Sequence, residues 1–312
     1  MVWPRQYGGH ERSELERYVV VEELLASGAP VAAHWFSDRQ VGPLLLRYGN
    51  DAQRRLFLGP MARGECYFSI GMSEPDAGSD LAAIRTTARA TEGGWRVNGT
   101  KLWTSHAHHN HYMLTLVRTS SGTRESHAGM SQLIIDLKSP GVAVRPIRLL
   151  NGEHHFNEVV FEEVLVAREM LVGTEGDGWE QVVAELTLER SGPERFLSTF
   201  PLLRQLVIEG GEPAAVGRLC AQLAALRRLS LSVATCIEAG QIPDVEASMV
   251  KDLGTRFERD LTEVARASAP KFPSEVFRHL LAEAILSGPG FTLRGGTNEI
   301  LRGIVARGLA AG

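Results

Sequence analysis

Met72-Ser73-Glu74-Pro75-Asp76-Ala77-Gly78-Ser79-Asp80, followed by Lys101-Leu102-Trp103-Thr104-Ser105, is the stretch on which the fold turns. Hydroxyls, small residues and a tryptophan that reads as buried recur within one small sheet, between two helical halves. Backbone and hydroxyl groups suit the heteroatoms of a flat, polar-edged cofactor, and an indole suits its face. Before it, residues 11–27 place Leu15, Tyr18, Val19, Leu25 and Ala26 near one helical face, stopped by Gly28. Asp51 is set to cap a second helix over 52–63. After Cys66 the pattern becomes strand-like. Trp95-Arg96-Val97, an Asn98-Gly99 turn and Lys101-Leu102-Trp103 read as a hairpin, and runs at 112–117, 132–137, 142–147 and 159–166 continue a compact antiparallel barrel or sandwich. Helical periodicity returns at Asp177, is interrupted at Pro193, and resumes after Gly210-Gly211-Glu212-Pro213 in segments 214–239, 244–268 and 273–287. Gly288-Pro289-Gly290 reads as a break, and Gly295-Gly296-Thr297 as the opening of a last helix ending near Leu309. Helices, strands, then helices make three layers of one α+β enzyme: 1–65, 66–170 and 171–312.

The 312 residues are 44% hydrophobic and 22% charged, the balance of a globular chain with a sizeable core. A net charge of −4 gives no electrostatic reason for nucleic acid, and no basic block points to a membrane surface. Cys66, Cys220 and Cys236 lie far apart without metal-ligand spacing, as reduced cysteines of a cytoplasmic protein do. No apolar run approaches a membrane span and no signal-peptide core opens the chain, so the expected location is the cytoplasm.

The α, β, α order and four motifs resemble the acyl-CoA dehydrogenase family. Trp3-Pro4-Arg5-Gln6-Tyr7-Gly8-Gly9 resembles its Trp-Pro-x-x-Tyr-Gly-Gly segment, and Met72 to Asp80 its Met-Thr-Glu-Pro-x-Ala-Gly-Ser-Asp run. Gly99 to Ser105 resembles Gly-x-Lys-x-Trp-x-Thr, and Gly295 to Ile300 resembles Gly-Gly-Thr-x-Glu-Ile. The resemblance implies an N-terminal helical domain (shortened here), a central antiparallel β-barrel and a C-terminal four-helix-type bundle. It also implies FAD, an acyl-CoA substrate, an electron-transfer flavoprotein or similar acceptor, and oligomerisation. Two family segments have no clear match: Arg-x-x-Phe-Gly between Glu189 and Gly254, which reaches the FAD diphosphate of a neighbouring subunit, and a Gly-Gly-x-Gly turn before the last helices. The isoalloxazine side of the cofactor site is therefore expected on this chain, and the diphosphate side is left open.

Dehydrogenating a saturated acyl thioester needs a base for the α proton and an acceptor for the β hydride. A carboxylate suits the base when the closed site desolvates it. Many family members place this glutamate directly before the Gly-Thr of the last motif, where this chain has Gly295. Glu189, in Leu186-Thr187-Leu188-Glu189-Arg190, matches the helix position used by another branch, which includes isovaleryl-CoA dehydrogenases. Glu185 and Glu189 lie one turn apart on one helical face; as bare sequence they also fit two solvated carboxylates paired with Arg190 or Arg195.

By the resemblance, Met72, Ser73, Trp103 and Ser105 contact the flavin, Gly295, Gly296 and Thr297 line its site, the Gly295 amide polarises the thioester carbonyl, and Ser79 contacts CoA. Without it, Ser73, Ser79 and Ser105 are turn residues, Trp103 is a core aromatic and Thr297 a helix cap. His106, His108, His109, His111, His154 and His155 are the other conspicuous cluster. Strand alternation would bring His109 and His111 together, but no carboxylate or cysteine joins them at ligand spacing, and no metal is expected. Two functions follow: an FAD-dependent acyl-CoA dehydrogenase forming a trans-2-enoyl-CoA with Glu189 as base, or a non-catalytic or half-site subunit of a heterotetramer with a related chain.

Overall fold

A computed structural model describes residues 1–120 and 127–311. Helix α1 (Glu14–Ala26) starts at Ser13, whose hydroxyl accepts from the Glu16 amide while the Glu16 carboxylate accepts from the Ser13 amide. Its buried residues are Arg17 and Tyr18, and Leu15 and Val19 face solvent, so the inward face differs from the one drawn from the sequence. Arg17 is held inside by Glu14. Next come α2 (Ala32–Trp35), a π-helical turn over Phe36–Val41 and α3 (Gly42–Tyr48), a run that apolar periodicity does not mark. Helix α4 (Asp51–Ala62) is capped by Asn50 rather than Asp51, in a reciprocal box with Gln53.

The strands are β1 (Phe68–Gly71), β2 (Thr87–Thr91), β3 (Gly94–Ser105), β4 (Tyr112–Arg118), β5 (Met130–Asp136), β6 (Val142–Arg148), β7 (His154–Ala167) and β8 (Leu171–Val172). The helices α5 (Gly178–Arg190), α6 (Phe200–Ile208), α7 (Pro213–Glu238), α8 (Asp244–Ala267), α9 (Glu275–Phe291) and α10 (Asn298–Ala311) follow. Packing divides the chain into two compact units. One holds Trp3–Glu11 and Ala32–Glu185; the other holds Arg12–Val31 and everything from Leu186 onward.

In the first unit the strands run in the order β6-β7-β3-β2-β4-β5-β8, with β1 beside β4. The sheet is open and mostly antiparallel, as a barrel or sandwich reading expects, with two parallel pairings. β1 pairs parallel with β4, and β2 meets β4 in parallel at Thr87 and Arg118. Parallel neighbours need a crossover rather than a hairpin; residues 72–86, including the opening motif, lead from β1 to β2, and the connection to β4 continues through β2 and β3. The core gathers Trp95, Val97, Met113, Leu133, Val159 and Phe161. Trp3 is also buried in this unit, and two glycines make room for it: a Cβ at Gly42 would lie 1.9 Å from its Cζ2, and one at Gly9 would lie 2.0 Å from its carbonyl oxygen.

Asn98-Gly99 is not a turn. β3 runs unbroken through it, and the two-residue turn is Glu92-Gly93, joining Thr91 to its partner Gly94. At Asn98 the ladder to β7 shifts register as a β-bulge, and Asn98 exchanges hydrogen bonds with Glu163 across it. Gly99 takes φ +148°, with Thr86 so close that a Cβ would meet its side chain at 2.4 Å. The glycine serves close approach, not chain reversal.

The second unit packs Phe196, Leu203, Leu219, Leu226, Val250, Phe257 and Leu261 as one cluster, with Leu25 of α1 against it. Leu202, Leu206, Ala265, Phe277 and Ala284 form another. Gly288-Pro289-Gly290 does not break α9, which continues to the buried Phe291. Pro289 is on the exposed side of the helix, where water can satisfy the carbonyl that its missing N–H leaves unpaired.

Candidate active site

The opening motif and the end of β3 are tied together by a buried lysine. Lys101, fully buried, donates from Nζ to the Met72 carbonyl at 3.0 Å and to Glu74 Oε1 at 2.7 Å. The Glu74 carboxylate also accepts from the Arg85 and Thr86 amides, and the Leu102 amide donates to the Ser73 carbonyl at 2.9 Å. Burial pushes the Lys101 ammonium down to about 8 against the pull of Glu74. Burial also opposes ionisation of Glu74, but Lys101 and the donated hydrogen bonds outweigh it and hold that carboxyl below its ordinary value. The pair is charged at neutral pH.

Beyond Lys101 the register to β7 shifts again, and Trp103 and His106 take φ of +58° and +53°. Trp103 is 55% exposed, with its ring edge-on to Phe156, so it is neither the buried residue its sequence context suggested nor a core aromatic. The bend is over-determined: the Asn157 amide holds the Thr104 carbonyl at 3.0 Å, and the Ser69 hydroxyl holds that of Ser105 at 2.8 Å. Strain persists only where surroundings enforce it, and here they hold the indole facing solvent. Ser73 and Ser105 are half-buried, and among the described residues neither hydroxyl has a protein partner. An open indole flanked by open hydroxyls fits the isoalloxazine of FAD. Ser79 lies exposed in a bend, and the following short helix Leu81–Ala83 has no side-chain cap.

The histidines do not alternate along a strand. Residues 106–109 form a turn, and their rings pack on those of β7: His106 on His155 (4.2 Å between centroids) and His108 on His154 (3.7 Å, nearly parallel). His111 stands apart, stacked on Tyr67 and accepting from its amide. Stacked rings do not converge their nitrogens on one point. Among the described residues no group of three or more His, Cys, Asp or Glu side chains is arranged to hold a metal ion.

In the second unit, Glu189 lies in the last turn of α5. Arg195, fully buried, forms an ion pair with Glu189 Oε1 and donates from Nε to the Glu189 backbone carbonyl at 3.0 Å. This is not a solvated surface pair. The Gly295-Gly296-Thr297 turn comes directly to it. A Cβ at Gly295 would lie 3.1 Å from Glu189 Oε1 and 3.0 Å from Arg195 Nη2, and its φ is +69°. Arg190 Nε holds the Gly295 carbonyl at 3.0 Å, Lys251 Nζ holds that of Gly296 at 2.6 Å, and the Thr297 hydroxyl caps α10 at the Ile300 amide. Glu185 is buried in the first unit, where Gln132 donates to it at 3.2 Å.

Sequence reading gave no role to Lys101, Glu74 or Lys251, and offered Arg195 only as a partner of solvated carboxylates. A signal was present for Lys251: it falls on the face of α8 that carries Ala247, Val250, Gly254 and Leu261, where a charge is out of place.

Residues 1–65 match the N-terminal domain of acyl-CoA dehydrogenases, and residues 69–164 match their middle domain. The acyl-CoA dehydrogenase IpdE1 of Mycobacterium tuberculosis is 33% identical over 317 residues, covering 97% of this chain and 82% of the relative. FadE29 of the same organism is 32% identical with the same coverage. Among solved structures, the Tcur3481-Tcur3483 steroid ACAD superposes with a TM-score of 0.87 at 28% identity, over 99% of this chain and 84% of that one. The ChsE4-ChsE5 complex from Mycobacterium tuberculosis gives 0.83 at 29%, over 98% and 84%. With domain matches over more than half its length and relatives above 30% identity over nearly all of it, the chain belongs to the acyl-CoA dehydrogenase family.

Proposed function

We propose that the chain catalyses the α,β-dehydrogenation of an acyl-CoA thioester to the trans-2-enoyl-CoA, with Glu189 as the base. FAD, the cofactor of this family, supplies the hydride acceptor at N5 when bound. Ser73, Ser105 and Trp103, with the backbone around Met72, hold the edge and face of its ring. The amide of Gly295, in the turn with Gly296 and Thr297, polarises the thioester carbonyl and acidifies the α carbon; Ser79 contacts the CoA portion. Glu189 then takes the α proton. Arg195 occupies Oε1 and fixes the rotamer, and among the described residues Oε2 has no partner, so Oε2 is the accepting atom. Electrons leave to an external carrier such as an electron-transfer flavoprotein in the cytoplasm.

One observation carries this reading. Position 295, from which many family members project their base, has no side chain here, and the Glu189 carboxylate reaches within 3.1 Å of where that side chain would begin. Two positions 106 residues apart in sequence bring a carboxylate to one place (295 − 189). The test is Glu189→Gln in the FAD-loaded protein, followed by flavin absorbance during titration with a panel of acyl-CoAs. Loss of a positioned general base is expected to slow flavin reduction about 10²–10⁴-fold; reduction at the native rate removes Glu189 from the role.

A second reading is favoured by the two-component complexes at 28–29% identity. In it the chain works beside a related subunit that completes the FAD diphosphate contacts. Protein purified alone would then be colourless and turn yellow on adding that subunit, whereas a self-sufficient homo-oligomer is yellow alone.

A further inference from the structure

Lys251 is fully buried on α8, and among the described residues no carboxylate lies within ion-pairing distance of it. Burial, with the Arg195 guanidinium next in weight, pushes its ammonium down to about 7. An apolar side chain would occupy that place without the desolvation cost. What Lys251 holds is a turn of two successive glycines. Gly295 and Gly296 both have positive φ, +69° and +97°, and two successive glycines leave more conformational freedom than any other pair. They precede α10 and have no ladder or helix of their own. Each residue of the turn is instead fixed from a different element: Gly295 by Arg190 of α5, Gly296 by Lys251 of α8, and Thr297 by its own cap on α10. One turn on, the Thr255 hydroxyl donates to the Lys251 carbonyl at 2.9 Å and lies 3.3 Å from the buried Asn298 side chain at the start of α10.

We propose that Lys251 is a positioning residue for the acyl thioester: by gripping the Gly296 carbonyl it holds the double-glycine turn in the one conformation that presents its amides to the substrate carbonyl. This rests on the proposed reaction only in placing the thioester at the turn. The grip requires a donor rather than a charge, and that separates it from a general electrostatic role.

The experiment compares Lys251→Met, which removes the donor, with Lys251→Gln, which keeps a neutral one, in the full FAD-loaded protein. Hydrogen exchange of the peptide covering residues 292–300 is expected to accelerate more than tenfold in Lys251→Met and less than threefold in Lys251→Gln, with exchange elsewhere unchanged. The saturating rate of flavin reduction by the best acyl-CoA of the panel is expected to fall about tenfold in Lys251→Met and to be largely restored in Lys251→Gln. Native exchange and rate in Lys251→Met overturn the proposal, as do equal defects in the two variants. Failure of the base assignment is seen separately, as a native rate in Glu189→Gln. The exchange readout needs no catalysis and decides the clamp even then.

Discussion

Each compact unit buries a lysine beside its candidate site residues, and the two are satisfied in opposite ways. Lys101 has a carboxylate, Glu74, and a carbonyl, that of Met72, and Glu74 is in turn held by two backbone amides. Lys251 has the Gly296 carbonyl and a guanidinium for a neighbour. The first lysine belongs to a closed network in which every charge has an answer, and the loop after β1, which carries the proposed flavin contacts Met72 and Ser73, is fixed by it before any ligand arrives. The second has no ion-paired carboxylate, and the pull of Glu189 only partly offsets its burial and the nearby guanidiniums, so its place is explained by what it holds. Buried charge of the first kind gives rigidity; of the second kind, position.

The largest effect expected from this contrast follows Glu74→Gln. It strands the Lys101 ammonium in the interior, and breaking a buried pair from one side costs about 3–5 kcal/mol. Urea unfolding is the measurement. Lys251→Met leaves one carbonyl unpaired and removes an unfavourable charge, so its change is expected to stay below about 2 kcal/mol. If Glu74→Gln costs less than Lys251→Met, the two lysines are not different in kind.

A smaller effect appears with pH. Lys251 is held near 7 in the folded chain, while a lysine in the unfolded chain titrates at its ordinary value near 10.5. Between those values the unfolded state binds more protons, so stability rises with pH across this window. Below about 7 both states are protonated and the dependence disappears. Lys101, held near 8, acts in the same direction over a narrower window. Subtracting the Lys251→Met curve from the native one isolates the first contribution, expected to rise by at most about 1.4 kcal/mol per pH unit above neutrality. A flat difference between pH 7 and 10 would show that Lys251 remains charged, and its burial would then need another explanation.

The order of helices, strands and helices was legible because periodicity changes twice along the chain, and three of the four motifs contain the candidate residues other than Glu189. What escaped reading has physical reasons. Asn98-Gly99 carries a turn signal, yet the same pair of residues also serves a β-bulge, and only the approach of Thr86 decides between them. Gly288-Pro289-Gly290 carries a break signal, yet its proline lies on a solvent face where a lost hydrogen bond is cheap to replace. Trp103 looks like core until a register shift two residues earlier turns it outward. Lys251 was hardest, since its partner is a backbone carbonyl 45 residues away and carries no side-chain signature.

Both units contain glycines with positive φ, but around their candidate residues they reach left-handed backbone differently. The second uses glycines, at 295 and 296, where the conformation is without strain but loose. The first uses Trp103 and His106, which costs roughly 1–2 kcal/mol per residue but leaves a rigid bend with an indole on it. Trp103→Gly separates these terms. Relief of strain and gain of chain freedom oppose each other, so the flavin-free protein is expected to unfold within about 1 kcal/mol of native. FAD affinity, by contrast, should fall up to about tenfold, the worth of an aromatic face of 0.5–1.5 kcal/mol. Trp103→Ala keeps the strain and loses the ring, so it should match the glycine variant in FAD affinity and be the less stable of the two. A destabilisation above about 2 kcal/mol in Trp103→Gly would make the indole a structural element, because a ring 55% exposed has too little buried surface to account for more.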